Sequence, residues 1–206
     1  DIFYLGFNML DPVVGGSSKR AKLLRQAISM VIDYDEFIQI FMSGRGVVAQ
    51  GPIPPTIFGS SGKAAINWLV YHWQDNKLVR NSLQQAKMKM QQAGYQHGIN
   101  PKTGLALQLN YDVPISSGPD DKARFAWMQE QFAKLGITLN IRATQYNRFQ
   151  DKALQGRLQI FNWGWLADYP DPENFLFLLY GPNATVKSQG PNTSNYNNPI
   201  YNELFE

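Results

Sequence analysis

Apolar positions along the chain switch between a two-residue and a helical period, and the switches mark the elements. Residues 2–8 are rich in β-branched and aromatic side chains and predict a strand. Asp11-Pro12 and Gly15-Gly16-Ser17-Ser18 predict a turn and loop. From about Lys19, the residues Leu24, Ala27, Ile28 and Val31 fall at i, i+3, i+4 and i+7, one face of a helix. Asp33 with Glu36 three residues on predicts a capping box that ends this helix and opens a shorter one over 34–42, closed by Gly44. Gly51-Pro52-Ile53-Pro54-Pro55 is neither helix nor central strand, because proline lacks the N–H donor and fixes φ; it reads as a rigid extended loop. Residues 56–81 carry no clear period: a loop around Gly59 and Gly62, then a buried or interface segment at Trp68, Leu69, Tyr71 and Trp73.

Ser82 with Gln85 predicts a second capping box, opening a helix whose buried face is Leu83, Ala86, Met90 and Ala93 and which Gly94 closes. A turn over 100–104 leads to Leu105, Leu107, Leu109 and Tyr111, which alternate as in a half-buried strand. Phe125, Met128, Phe132 and Leu135 mark the next helix, ended by Gly136, and Ile137, Leu139 and Ile141 the next strand. A short helix over 146–154 follows, closed by Gly156. Residues 158–165 form a near-continuous apolar run and predict a central strand. Asp168-Tyr169-Pro170-Asp171-Pro172 is a turn before a helix carrying Phe175, Leu176, Leu178 and Leu179. Residues 181–198 read as loop, with Pro199 at the first position of a last helix. Strands alternating with helices predict an α/β sandwich, without internal repeats.

Composition narrows the chemistry. The absence of Cys excludes disulfides, thiol catalysis and Cys-ligated metals, and two His, His72 and His97, exclude a multi-His metal site. A net charge of +3, scattered along the chain, does not suggest nucleic-acid binding. No stretch of 18 apolar residues is present to span a membrane. Gly59-Ser60-Ser61-Gly62-Lys63 resembles a phosphate loop superficially, but Ile57 stands where its first Gly belongs and Ala64 where Ser or Thr would meet magnesium. Asn183-Ala184-Thr185 and Asn192-Thr193-Ser194 are glycosylation sequons of a kind that arise by chance in an Asn-rich loop. Both ends read as cut from a longer chain, since Asp1 precedes an apolar run directly and Glu206 falls in the first turns of a helix.

One constellation stands apart: Asn162-Trp163-Gly164-Trp165-Leu166-Ala167-Asp168, followed by the Pro-flanked turn. It lies where a buried strand leaves the sheet, and ligands of open α/β sheets bind at the carboxyl ends of strands. A Trp there offers an apolar wall and a donor, and an Asp a fixed negative charge. The structural alternative is a core Trp165 and an Asp168 that only caps the turn. A hydrolase using Asp168 and Asp171 has nothing to position a second group, so no catalytic residue is assigned.

Six segments in order resemble the family 5 extracellular solute-binding proteins, the peptide and nickel receptors of bacterial ABC importers. They are residues 4–8; residues 24–29 through Ile32-Asp33-Tyr34; the loop at 51–55; residues 86–95; residues 164–176; and Ser194-Asn195-Tyr196-Asn197-Asn198-Pro199. Residues 64–80 and 15–20 do not match. The resemblance implies one lobe of a type II periplasmic-binding-protein fold, a central mixed sheet flanked by helices, with residues 1–206 forming most of the C-terminal lobe. It implies a monomeric, exported protein, in the periplasm or on the outer face of the cytoplasmic membrane, that captures short peptides and hands them to a membrane permease without a cofactor. Asp168 would pair with the peptide's α-ammonium, Trp165 and Trp163 would line the pocket, and Asn162 and Asn8 would add polar contacts. Oligopeptide receptors often carry a basic residue at the position of Asn162. The alternative ligands within the family are oligosaccharides, nickel chelates and haem; five Trp with 16 Asn and 17 Gln would suit a sugar.

Overall fold

A computed structural model describes residues 1–60, 66–116 and 118–206. Residues 61–64 of the superficial phosphate-loop match therefore lie outside the described residues. The main sheet contains β1 (Ile2–Phe7), β4 (Gln108–Pro114), β5 (Thr138–Thr144) and β6 (Ile160–Trp165) in the order β1-β6-β4-β5. β4 runs parallel to β5 and β6, whereas β1 runs antiparallel to β6. The sheet is thus mixed, and the apolar run at 158–165 does form an interior strand.

Strand alternation sorts the side chains onto two faces. Leu109, Tyr111, Val113, Leu139 and Ile160 join one core with α1 (Lys19–Val31), α3 (Leu83–Gln92) and α4 (Asp121–Ala133). Phe161, with Tyr4 and Trp163 packed beside it, faces Phe149 and Ala153 of α5 (Tyr146–Leu154). Asp112, wholly buried on this second face, is held by Lys152 of α5 at 2.5 Å. The topology accounts for the division. The chain passes from β4 through α4 to β5, then back over β4 through α5 to β6. Two crossovers of one hand that run in opposite directions place their helices on opposite faces. At the β1–β6 seam, Phe3 lies opposite Gly164 and Gly6 opposite Phe161. A Cβ on either glycine would overlap the facing ring, so these pairs fix the register.

The helix ends obey their sequence signals in part. Ser82 and Gln85 form the full capping box. At α2 (Tyr34–Phe41) only half of the box exists: the Glu36 N–H donates to Asp33 Oδ1, while the Glu36 carboxylate accepts from Trp127 Nε1 at 2.8 Å. Leu83 and Leu105, both expected inside, are 40% and 66% exposed. The first opens its helix at the surface, and the second precedes a strand that begins only at Gln108. Residues 71–80 form a hairpin, β2 (Tyr71–Gln74) and β3 (Lys77–Arg80), where no strand was expected. Its two turn residues, Asp75 and Asn76, both have positive φ (49° and 60°), the backbone of a tight hairpin turn. Within 181–198, read as loop, lies a short helix α7 (Thr185–Ser188), and the last helix forms from Pro199 as expected, α8 (Pro199–Phe205), capped by Asn198.

Candidate functional site

The carboxyl ends of β4, β5 and β6 share one edge of the sheet, beside the start of β1. There the chain leaves β6 at Trp165, turns through the prolines and enters α6 (Glu173–Leu176). The turn is built locally. The Glu173 N–H donates to Asp171 Oδ1 at 2.9 Å, and the Asn174 N–H to the Asp171 carbonyl at 3.1 Å. Residues 166–170 face residues 54–57 of the proline-rich loop across an open concavity of about 390 Å³, with Asp1 and Phe175 completing the lining. The walls are mostly apolar. Thr56 adopts a φ of 78°, in the left-handed region that β-branched residues avoid, so this wall holds backbone strain.

Asp168 lines the concavity and is exposed. Its backbone N–H donates to Asn174 Oδ1 at 3.1 Å, while its carboxylate has no hydrogen-bond or ion-pair partner among the described residues. The same Asn174 oxygen accepts from Trp165 Nε1 at 3.0 Å. The Trp165 ring stands edge-on to Phe177, with ring centroids 5.0 Å apart. The indole donor expected for a ligand is therefore spent inside the protein, and Trp165 can offer only its faces and edges. Asn174, 1% exposed, joins the two residues that the sequence singled out.

The other expected contacts lie elsewhere. Trp163 packs on the second face against Phe149, with centroids 4.8 Å apart, and Tyr146. Asn162 points to the opposite face, toward the buried Tyr111 hydroxyl, and its amide donates to the Tyr4 carbonyl at 3.4 Å. Burial, then the neighbouring Tyr34, push the Tyr111 phenol up, and Asn162 pulls it back. Asn8 is buried and bonded within the protein. It follows the end of β1, and β1 is antiparallel, so Asn8 sits at the far edge of the sheet, about 20 Å from Trp165 at the usual strand rise. Its amide donates to the Gly156 and Leu158 carbonyls at 3.1 and 2.8 Å, and its oxygen accepts from the Leu10 N–H and from Asn195 Nδ2.

Two contributors escaped sequence reasoning: Asn174, an unremarked amide within the turn motif, and residues 54–57, read only as a rigid loop. Proline spacing marked that loop's stiffness but not what it faces. Among the described residues no cluster of three or more His, Cys, Asp or Glu could hold a metal ion, and no helix is long and apolar enough to cross a membrane.

This geometry has clear relatives. Heme-binding protein A of Haemophilus influenzae is 27% identical over 185 residues, 88% of this chain and 30% of that protein. The dipeptide-binding protein of Escherichia coli is 24% identical, over 89% of this chain and 31% of its own length. The chain thus spans less than a third of these curated relatives. The solved structure of the ABC transporter-associated periplasmic binding protein DppA from Helicobacter pylori, in complex with the peptide STSA, superposes with a TM-score of 0.75 at 24% identity. It covers 98% of this chain, which matches 34% of that one. Superposition at this level shows a shared periplasmic-binding-protein fold. The family model described as "Bacterial extracellular solute-binding proteins, family 5 Middle" matches residues 1–187, and with that span the chain belongs to the family 5 bacterial extracellular solute-binding proteins.

Proposed function

We propose that this chain forms most of one lobe of a two-lobed, exported receptor that captures short peptides and delivers them to an ABC permease. Its task is binding, not turnover. One observation carries the reading: Asp168 presents a carboxylate with no partner among the described residues, on a backbone fixed from behind, at the mouth of a mostly apolar concavity. Such an anion suits a ligand ammonium, because a charge-assisted hydrogen bond is stronger than a neutral one. It also disfavours a blocked terminus, which leaves the charge unmatched. The dipeptide-binding relative and the peptide-bound neighbour support the same ligand class. Closure of the second lobe over the ligand would follow from a higher affinity for the closed state. The receptor acts as a monomer in the periplasm or on the outer face of the cytoplasmic membrane.

A relative named for haem favours a second reading. Haem presents carboxylates, however, and Asp168 would repel them. Replacement of Asp168 by Asn in the full-length receptor separates the two. For a free-amine peptide the affinity falls by about 1.5–3 kcal/mol, the worth of a hydrogen bond to a charged group, with the melting temperature of the empty protein unchanged. Unchanged peptide affinity, with haem bound by the unaltered receptor, rejects the peptide reading. Calorimetric titration measures both.

A further inference from the structure

We propose that Asn174 is the positioning residue of this site, and that its side-chain oxygen sets where the Asp168 carboxylate stands and so how sharply a free ammonium is told from a blocked one. The inference rests on the peptide reading for the ligand, but its geometric part does not.

Three features support it. First, the acceptor is buried and serves both ends of the segment that carries Asp168: the Trp165 indole N–H at 3.0 Å and the Asp168 backbone N–H at 3.1 Å. A carbonyl oxygen has two lone pairs, so one atom can satisfy both donors. Second, the base that carries Asn174 is itself fixed. Asp171 receives the Glu173 and Asn174 N–H groups, and Phe177, one turn on, supports the Trp165 ring. Third, the Asp168 carboxylate has no bond of its own among the described residues, so the backbone beneath it is what the fold holds in place. A charge that must meet a ligand without reorganising depends on such a support. Asn174 is not among the residues that line the concavity, and it acts through Asp168, not on the ligand.

The test compares Asn174→Leu, which keeps the volume and removes the acceptor, with Asn174→Asp, which keeps the oxygen, in the full-length receptor. Hydrogen exchange of residues 165–168 is followed by mass spectrometry. Affinities are measured for a tripeptide with a free and with an acetylated amino terminus. The Leu variant is expected to exchange this segment at least about tenfold faster and to lose about tenfold in the free-to-acetylated affinity ratio, the scale of one hydrogen bond. The Asp variant is expected to hold the slow exchange and most of the ratio. A merely structural Asn174 would lower both affinities in parallel and leave their ratio intact, which overturns the proposal. Exchange in the unaltered receptor as fast as in free peptide also overturns it, whether or not the Leu variant folds. An unaltered receptor that binds both peptides alike removes the ammonium anchor instead, and exchange alone then decides the role of Asn174.

Discussion

A buried amide is costly unless its donors and acceptors are met, so the partners of Asn8 and Asn174 show what each side chain is for. Asn8 ties the end of β1 to Gly156, Leu158 and Asn195, all far from the concavity. Asn8→Ala should therefore lower stability by about 2–3 kcal/mol, since several buried groups lose their partner, and leave ligand selectivity untouched. Urea denaturation and a peptide titration check the two halves; lost selectivity at full stability would return Asn8 to the site. The place of Asp168 at the strand exit was legible in the sequence, because an apolar run ends there before a Pro-flanked turn. The position of Asn8 was not legible, because the sequence shows that a residue ends a strand, not which end of the sheet it faces. The antiparallel pairing of β1 with β6 decides it. Asn174 was illegible for another reason: the bonds from Trp165 and Asp168 depend on the turn between them, and no period connects residues nine and six apart.

At the scale of elements, the helices were legible wherever a 3.6-residue apolar period ran for three turns, as in α1 and α4. The hairpin was not. Each of its strands has only four residues, and its turn uses Asp-Asn where Asn-Gly would have been the clear signal. Its attachment is a long-range matter. Arg80 donates to the Met30 and Ile32 carbonyls, at 2.7 and 3.0 Å, and stands 3.6 Å from Asp33. It thus serves the last carbonyls of α1, where the helix dipole favours a cation. Tyr71 adds a hydrogen bond to Asp35 at 2.7 Å. Arg80→Met is expected to cost about 2 kcal/mol by leaving those carbonyls unmet, and to make the hairpin the first segment cut in limited proteolysis. Unchanged stability and cleavage would show that the hairpin is held by packing alone.

Across the whole molecule, the two crossovers divide the core between faces and leave one sheet edge free for the loops that form the concavity. The same burial sets the response to alkali. Desolvation raises the Tyr4 phenol from its ordinary 10.0 to about 12, and raises Tyr34, Tyr71 and Tyr111 as well. The unfolded chain gives up these protons first. Their contribution to stability is therefore complete below pH 10 and is lost as the pH climbs through the folded values. Phenolate absorbance that rises together with the loss of circular dichroism, between about pH 10 and 12, is the expected result; independent titration in an intact fold would refute it. The central claim, capture of a ligand ammonium by Asp168, is tested most directly by a thermal-shift measurement on the full-length receptor with a short peptide bearing a free or an acetylated amino terminus. At about 100 times its Kd a ligand adds roughly 2.7 kcal/mol, enough to move the midpoint by degrees. The account predicts a clearly larger shift with the free peptide than with the acetylated one at the same concentration; equal shifts would contradict it.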